Sequence, residues 1–194
     1  MIDENLSRCP WAKKSKDGWT GYIEYHDTQW GIPVHDDQML FEMLVLEGAQ
    51  AGLSWETVLK KRDAYRAAFD QFDPNKVAHY DDTKVEELLN NEGIIRNKLK
   101  INSAIRNAKA FLKVQEEFGS FDAYLWAFVE GKPVINHPKT LKDVPATTTL
   151  SDTISKDLKK RGFNFVGSTI IYAYMQAVGI VDDHIETCFK REQA

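Results

Sequence analysis

The chain has 194 residues, 43% of them hydrophobic, which suits one domain with a core that needs no disulfides. No apolar run approaches the roughly 20 residues that cross a bilayer, and the polar N-terminus does not resemble a signal peptide. We therefore expect a cytoplasmic protein that does not bind membranes. The net charge of −4 argues against nucleic acid as a partner. However, residues 94–113 include six basic and no acidic side chains, which indicates either a nucleic-acid contact or a solvated helix face.

Helix signals recur along the first two thirds of the chain. Apolar residues at helical spacing follow four candidate N-terminal caps. These caps are Asp36 or Asp37, Ser54, Asp73 before Pro74, and Thr83 in a capping box with Glu86. We expect the Ser54 helix to continue through Tyr65, a long helix over at least 99–112, and a further helix over 121–129.

The last third predicts a loop followed by two helices. Three prolines and four threonines within 131–149 are typical of a loop. Helices are predicted over 151–161 and 168–178, the second closed by Gly179. Alternation typical of strands is nearly absent, so the sequence predicts a single all-α domain over 1–194.

A short turn joins those two helices, and it forms the first candidate site. Gly162 and Gly167 bound the turn, where glycine permits unusual backbone angles and a close approach to a ligand. Ser168 opens the second helix, whose free N–H groups favour a phosphate. The same pattern also occurs in ordinary helical hairpins. The candidate contacts are Gly162, Phe163, Asn164, Gly167 and Ser168.

The second candidate site is a metal centre. His184 and Cys188 lie four residues apart, so they share one face if the segment is helical. Cys9 and His26 are possible partners, and two cysteines with two histidines make a closed tetrahedral zinc set. The alternative is that His184 and Cys188 are simply core residues.

The third candidate site is an aromatic region with one acid. Glu47 lies in an otherwise apolar stretch, where an unpaired carboxylate is costly to bury. Aromatic faces and one acceptor would suit a base extruded from DNA, although a rigid aromatic core is an equally simple explanation. The aromatic residues are Trp11, Trp19, Tyr22, Tyr25, Trp30 and Trp55.

These three sets, in this order, resemble the bacterial 3-methyladenine DNA glycosylase I family. The resemblance extends from about Cys9 to Cys188. The most specific phrases are Gln50-Ala-Gly-Leu-Ser-Trp55 and Leu158-Lys-Lys-Arg-Gly-Phe-Asn-Phe-Val-Gly167, alongside Tyr25-His26-Asp27, Trp30-Gly31, Leu46-Glu47-Gly48, Gly93-Ile-Ile-Arg96 and Asp183-His184.

The resemblance implies a helix-hairpin-helix glycosylase fold, with the hairpin at about 151–179 on the DNA backbone. It implies one structural zinc joining the terminal segments 9–26 and 184–188. It also implies removal of 3-methyladenine from double-stranded DNA in a bacterial nucleoid. The sequence shows no exposed apolar stripe that would indicate a dimer, so we expect a monomer. The implied zinc ligands are Cys9, His26, His184 and Cys188, and the implied base pocket comprises Tyr22, Tyr25, Glu47 and Trp55, with Trp11 and Trp30 nearby.

Two acids are candidates for catalysis under this resemblance. Glu47 would accept hydrogen bonds from the methylated adenine. Related glycosylases of the wider superfamily have a catalytic aspartate in a Val-Asp-x-His phrase, which this family usually replaces with asparagine. Here the phrase reads Val181-Asp182-Asp183-His184, so Asp182 is either catalytic or a helix cap.

Two alternative functions are compatible with the same motifs. One is a glycosylase for 7-methylguanine or other alkylated bases, although Glu47 disfavours guanine because O6 is an acceptor where adenine has an amino donor. The other is a DNA-binding module without catalysis, in which the aromatic pocket has no purpose. Chromatography of bases released from alkylated DNA distinguishes all three.

Overall fold

The computed structural model describes residues 2–193 as a predominantly helical chain. The described residues include no helix long and apolar enough to span a bilayer. Short 3-10 turns occur at Asp70–Phe72, Ala127–Val129, Leu141–Asp143 and Phe189–Gln193. The regular elements are Gly21–Thr28 (α1), Asp37–Gln50 (α2), Trp55–Leu59 (α3), Arg62–Ala68 (α4), Pro74–Val77 (α5), Asp82–Asn90 (α6), Lys98–Phe118 (α7), Phe121–Trp126 (α8), Val134–Ile135 (β1), Thr149–Lys160 (α9), Ser168–Ala177 (α10) and Val181–Asp182 (β2).

Helix α2 is the most buried helix among the described residues. All ten of its residues from Leu40 to Ala49 are buried, and it packs against α3, α7, α8 and α10. The Asp36 side chain accepts a hydrogen bond from Met39 N at 2.8 Å, so it satisfies an amide that the helix itself leaves free. An apolar helix enclosed by other helices confirms the predicted all-α class.

Two helix predictions needed correction. The helix expected from Ser54 through Tyr65 is two helices, α3 and α4, interrupted at residues 60 and 61. The capping box at Thr83 and Glu86 was wrong, because α6 begins at residue 82 and its cap is Asp81, which accepts from Lys84 N at 2.9 Å. The aspartate preceding Thr83 by two residues therefore determines the start of the helix.

The segment predicted as a loop contains β1, one of the two short strands among residues 2–193; the other, β2, follows α10. Strands β1 and β2 pair in parallel, with Val134 opposite Val181 and Ile135 opposite Asp182. Strands of two residues are too short to show alternation in a sequence. Their pairing joins the middle of the chain to the segment that precedes His184.

Helices α9 and α10 pack against each other across a short turn, with bounds slightly different from those predicted. Thr148, rather than a residue near 151, caps α9 in a reciprocal pair with Ser151. Seven residues, 161–167, lie between the helices and include the turn predicted from Gly162 to Gly167. One cluster of buried hydrophobic residues extends from Cys9 to Cys188 and includes both helices.

Candidate active site and metal-binding cluster

A cavity of about 340 Å³ opens among α1, α2, α3 and α10. This volume lies within the range of small-ligand pockets. The cavity contains all six residues predicted to bind a base, so residues far apart in sequence do converge. Its lining is Trp11, Tyr22, Tyr25, Trp30, Glu47, Gln50, Trp55, Leu141, Val144, Ala173 and Gln176.

Aromatic rings pack edge to face along this cavity. The ring centroid of Trp11 is 5.8 Å from that of Tyr22 and 5.0 Å from that of Trp30, with interplanar angles of 74° and 75°. Tyr25 lies 5.6 Å from Trp55. Such pairs hold the rings rigidly while leaving some faces open to a ligand. The indole Nε1 of Trp55 is buried and has no hydrogen-bond partner among the described residues, so it is a donor available to a ligand.

Glu47 lies on α2 and contributes the acid of the cavity. Glu47 is only 4% exposed, and no other described residue donates a hydrogen bond to its carboxylate. Burial raises the pKa of the Glu47 carboxyl from 4.5 to about 8, because the low-dielectric surroundings disfavour the charged form. A buried, unpaired acid in a cavity is a costly arrangement that marks a functional site.

Sequence reasoning missed the residues that α10 contributes. Ala173 and Gln176 are three positions apart, so they share the face of α10 that lines the cavity. No sequence signal identified them, because their position depends on how α10 packs against α2. Gln50, one turn after Glu47, also lines the cavity, although its motif did not predict a contact with the base.

The turn between α9 and α10 presents free backbone donors. The N–H groups of residues 165–170 donate to no other described residue, and they lie at the positive end of α10. Gly162 has φ of +94°, which explains a glycine there. Gly167 has φ of −60°, so its backbone conformation does not require glycine, contrary to the prediction for both ends. A side chain at Gly167 would meet no protein atom within 4 Å, so the glycine leaves space outside the helix N-terminus.

The other predicted hairpin contacts are partly engaged within the protein. Phe163 is 3% exposed and its ring packs near Phe121, so its side chain faces the core. The backbone N–H of Asn164 donates to Asn107 Oδ1 at 2.8 Å, and its backbone C=O accepts from Asn107 Nδ2 at 3.0 Å. The Ser168 hydroxyl bonds with that of Ser151 at 2.8 Å. The amides of 165–170 are therefore the hairpin donors that other described residues leave unpaired.

The hairpin also touches the helix that contains Glu47. A Cβ on Gly48 would lie 3.3 Å from Cβ of Phe165, which has a left-handed φ of +54°. The absent side chain at Gly48 therefore allows the turn to approach α2 closely. This contact fixes the distance between the cavity and the free amides.

Three of the four predicted metal ligands form one buried cluster. The ligand atoms of Cys9, His26 and Cys188 all lie within 4.8 Å of one another, so the cluster could hold a metal ion. Cys188 Sγ is 3.4 Å from His26 Nε2. The pKa of the Cys188 thiol is lowered because it accepts a hydrogen bond from Cys9, and His26 contributes in the same direction. A thiolate is the form of cysteine that binds metal.

His184 lies beside this cluster. Its ring centroid is 5.1 Å from that of His26, and its buried Nε2 has no hydrogen-bond partner among the described residues. His26 Nδ1 is 2.8 Å from a carboxylate oxygen of Asp27, and His184 Nδ1 is 2.7 Å from a carboxylate oxygen of Asp182. Metal-binding histidines commonly have this carboxylate partner, which leaves Nε2 for the metal. The donor set therefore fits a metal ion.

Asp182 is not among the residues that line the aromatic cavity. Its carboxylate contacts the His184 ring and also accepts a hydrogen bond from the His184 backbone N–H at 2.9 Å. Asp182 lines a separate cavity, together with Gly31 and Lys190. The structure thus places it beside a predicted metal ligand and away from Glu47.

The comparisons with known proteins identify the family and agree with this fold. A sequence model described as methyladenine glycosylase matches residues 11–191. DNA-3-methyladenine glycosylase 1 of Escherichia coli is 50% identical over 183 residues, which cover 94% of this chain and 96% of the relative. A crystal structure of 3-methyladenine DNA glycosylase I matches with a TM-score of 0.89 at 50% identity, covering 94% of this chain and 98% of that one.

A Staphylococcus aureus structure that concerns 3-methyladenine recognition by 3-methyladenine DNA glycosylase I matches with a TM-score of 0.89 at 34% identity, covering 95% of this chain and 96% of that one. The mostly helical fold is thus shared with these solved structures. The chain belongs to the methyladenine glycosylase family.

Proposed function

We propose that this chain is a DNA-3-methyladenine glycosylase, which hydrolyses the N-glycosidic bond of 3-methyladenine in alkylated DNA and so begins base excision repair. The observation on which this proposal rests is Glu47, a buried and unpaired acid in an aromatic cavity of a chain from this family. The relatives reported above are named as 3-methyladenine DNA glycosylases, which supports this proposal.

The chemistry of the substrate explains why one acid is enough. A methyl group on N3 of an adenine already joined to deoxyribose gives the base a fixed positive charge. When the bond to the sugar breaks, its electron pair goes to the base, which leaves as a neutral molecule. The enzyme therefore needs no strong general acid. It must hold the cationic base, stabilise the developing sugar cation and admit water.

In this proposal, Glu47 selects the base by charge and by hydrogen bonding. A cationic base beside the carboxylate favours its ionised form, which lowers the raised pKa on binding. The carboxylate accepts from the adenine amino group, whereas guanine would present the O6 acceptor there. The Trp55 Nε1 donor remains for a ring nitrogen of the base, and the rings of Tyr25 and Trp30 confine it.

The remaining assignments concern DNA, metal and organisation. We propose that the amides of 165–170, at the turn bounded by Gly162 and Gly167, bind a phosphate of double-stranded DNA. We also propose one zinc at Cys9, His26, His184 and Cys188, which supplies stability and no reaction step because four protein ligands leave no position for water. For Asp182 we propose orientation of the His184 ring, since it does not line the cavity. The chain would act as a single monomeric domain in the bacterial cytoplasm.

Base release and base binding together test this function. Alkylated DNA incubated with the protein should release 3-methyladenine, detected by chromatography, with little 7-methylguanine. Calorimetric titration with free 3-methyladenine should show roughly ten- to hundredfold weaker binding to Glu47→Gln, because a charge-assisted hydrogen bond in a desolvated site is lost. Glu186→Gln, an exposed acid outside the cavity, is the matched control. Equal affinities of Glu47→Gln and the unaltered protein would remove Glu47 from the site.

A further inference from the structure

A second buried acid lies next to the cavity, and the function proposed above does not use it. Asp183 is 1% exposed and accepts three hydrogen bonds from neutral donors. Tyr172 Oη donates to its Oδ2 at 2.6 Å, Asn136 Nδ2 donates to its Oδ1 at 2.8 Å, and Gln176 Nε2 donates to its Oδ2 at 2.7 Å. Of these three donors, Gln176 also lines the aromatic cavity.

The bond to Asp183 fixes which way the Gln176 amide points. A carboxylate only accepts hydrogen bonds, so the amide nitrogen must face Asp183. The carbonyl Oε1 is then the polar atom left for the cavity, and no described residue donates to it. The backbone of Gln176 is also fixed, because its carbonyl accepts from Gly31 N at 2.9 Å. The cavity thus contains a neutral acceptor with a defined orientation.

The position of Gln176 favours the sugar over the base. The base enters the cavity first while the sugar stays joined to the DNA backbone, so the sugar lies nearer the opening. Glu47 is almost completely buried, whereas Gln176 is half-buried. Gln176 also lies in the last turn of α10, where the negative end of the helix dipole favours a developing cation.

We infer that Gln176 is a catalytic residue whose Oε1 accepts a hydrogen bond from the attacking water, and that Asp183 is the positioning residue that orients it. This inference rests on the proposed glycosylase function. The water oxygen forms a bond to C1′ of the deoxyribose as the bond from C1′ to the base nitrogen breaks, with its electron pair going to the base. The added water then loses one proton to solvent, because an amide cannot take it.

Single-turnover base release from alkylated DNA tests the role of Gln176. Gln176→Met keeps the length of the side chain but removes the acceptor, so the rate should fall about ten- to hundredfold. Affinity for free 3-methyladenine should stay within about twofold of the unaltered protein, because Glu47 still holds the base. Gln115→Met is the matched control: it breaks a similar bond, from Gln115 Nε2 to Asp37 at 2.6 Å, far from the cavity and should leave the rate unchanged.

The role of Asp183 is tested by combining two changes. Asp183→Asn keeps the shape but lets the Gln176 amide adopt either orientation, so its rate should lie between those of the unaltered protein and Gln176→Met. If Asp183 acts through Gln176, the double variant should be no slower than Gln176→Met alone. Metal content of each variant, measured by elemental analysis, should match that of the unaltered protein.

Different outcomes would overturn different parts of the inference. An unchanged rate in Gln176→Met would overturn it, as would an equal loss of free-base affinity, which would make Gln176 a base-binding group. A double variant that is slower than Gln176→Met would show that Asp183 acts elsewhere. Failure of the unaltered protein to release 3-methyladenine would instead overturn the proposed function, and this inference with it.

Discussion

Glu47 shows how a single side chain can favour function over stability. Burial raises the pKa of its carboxyl from the ordinary 4.5 to about 8, so at neutral pH folding must return a proton to a group that is ionised in the unfolded chain. A residue selected for stability alone would be neutral. The same desolvation strengthens its attraction for a cationic base, since a low dielectric weakens screening.

This pKa shift predicts a specific dependence of stability on pH. Between pH 4.5 and about 8 the folded state retains a proton that the unfolded state has lost. The free energy of unfolding should therefore fall as pH rises through this window, by about 1.4 kcal/mol per unit from this group. Glu47→Gln lacks the effect, so it should match the unaltered protein near pH 4.5 and exceed it by several kcal/mol at pH 8.

Urea unfolding of both proteins at pH 5, 6.5 and 8 measures this difference. Other titrating groups are common to both chains, so they cancel in the comparison. Glu186→Gln, which removes an exposed acid, should show a constant difference across the same range. A constant difference for Glu47→Gln as well would mean that its carboxyl is solvated and does not lie in the cavity as described.

The helical hairpin is the element that joins two tasks in this fold. Its turn presents six consecutive free amides, and Phe165 of the same turn contacts Gly48, next to Glu47. An anion bound at the turn therefore lies at a fixed distance from the cavity. Backbone contact through a glycine is less adjustable than contact between long side chains, so this distance does not depend on rotamers.

A negative charge at Gly167 should separate DNA binding from folding. Gly167 is the N-cap of α10 and has no side-chain cap, and a Cβ there meets no atom within 4 Å. Both Asp and Asn are good N-caps, so Gly167→Asp and Gly167→Asn should preserve or slightly raise stability. Gly167→Asp should weaken binding to all DNA sequences alike, because phosphate contacts do not read sequence.

Fluorescence anisotropy with two unrelated duplexes at several salt concentrations measures this effect. The unaltered protein should lose affinity steeply with salt, and Gly167→Asp should bind far more weakly than Gly167→Asn. The asparagine variant is the steric control, since it differs from the aspartate only in charge. If both variants bind DNA as the unaltered protein does, the turn is not the phosphate site.

Helices were predicted where local rules act, and predictions were wrong where tertiary contacts or competing caps decide. Asp36, Asp73 and the start of α3 at Ser54 behaved as their local sequences indicate. Asp81 displaced Thr83 as a cap because both are suitable and the earlier one fits the register of α6. The cavity residues of α1, α2 and α3 were predicted because aromatic side chains are rare enough to notice, whereas Ala173 and Gln176 are not.

At the scale of the whole molecule, the cluster of Cys9, His26 and Cys188, which could hold a metal ion, lies next to the cavity. Trp30 lines the cavity, and its ring lies 4.6 Å from His184 and is stacked at 6.2 Å on His26. Trp11, also in the lining, is 5.2 Å from His26. The ends of the chain therefore support the aromatic rings that would hold the base. Sequence alone suggested the ligands but could not place them beside these rings.

Cys188→Ala should remove the metal and lower the free energy of unfolding by several kcal/mol, because metal binding is coupled to folding. Elemental analysis and urea unfolding measure the two effects. A chelator should bring the unaltered protein to the stability of the variant, change its tryptophan fluorescence, and leave the variant unaffected. Unaltered protein that contains no metal as purified, together with an unchanged free energy of unfolding in Cys188→Ala, would argue that the cluster has no structural role.

The N-terminal and C-terminal segments that meet at His26 and Cys188 are far apart in the sequence. This separation also determines when, during synthesis, the cavity can be completed. His26 and Cys188 are 162 residues apart, and Phe189 N donates to Ser7 O at 2.8 Å. On a ribosome, α2, α7 and the hairpin emerge before Cys188 exists, and closing so long a loop is entropically unfavourable until they are packed. We therefore expect a nascent chain to form its helical core and its hairpin before its aromatic rings are fixed. A partly made chain would then be able to hold DNA before it is able to hold a base.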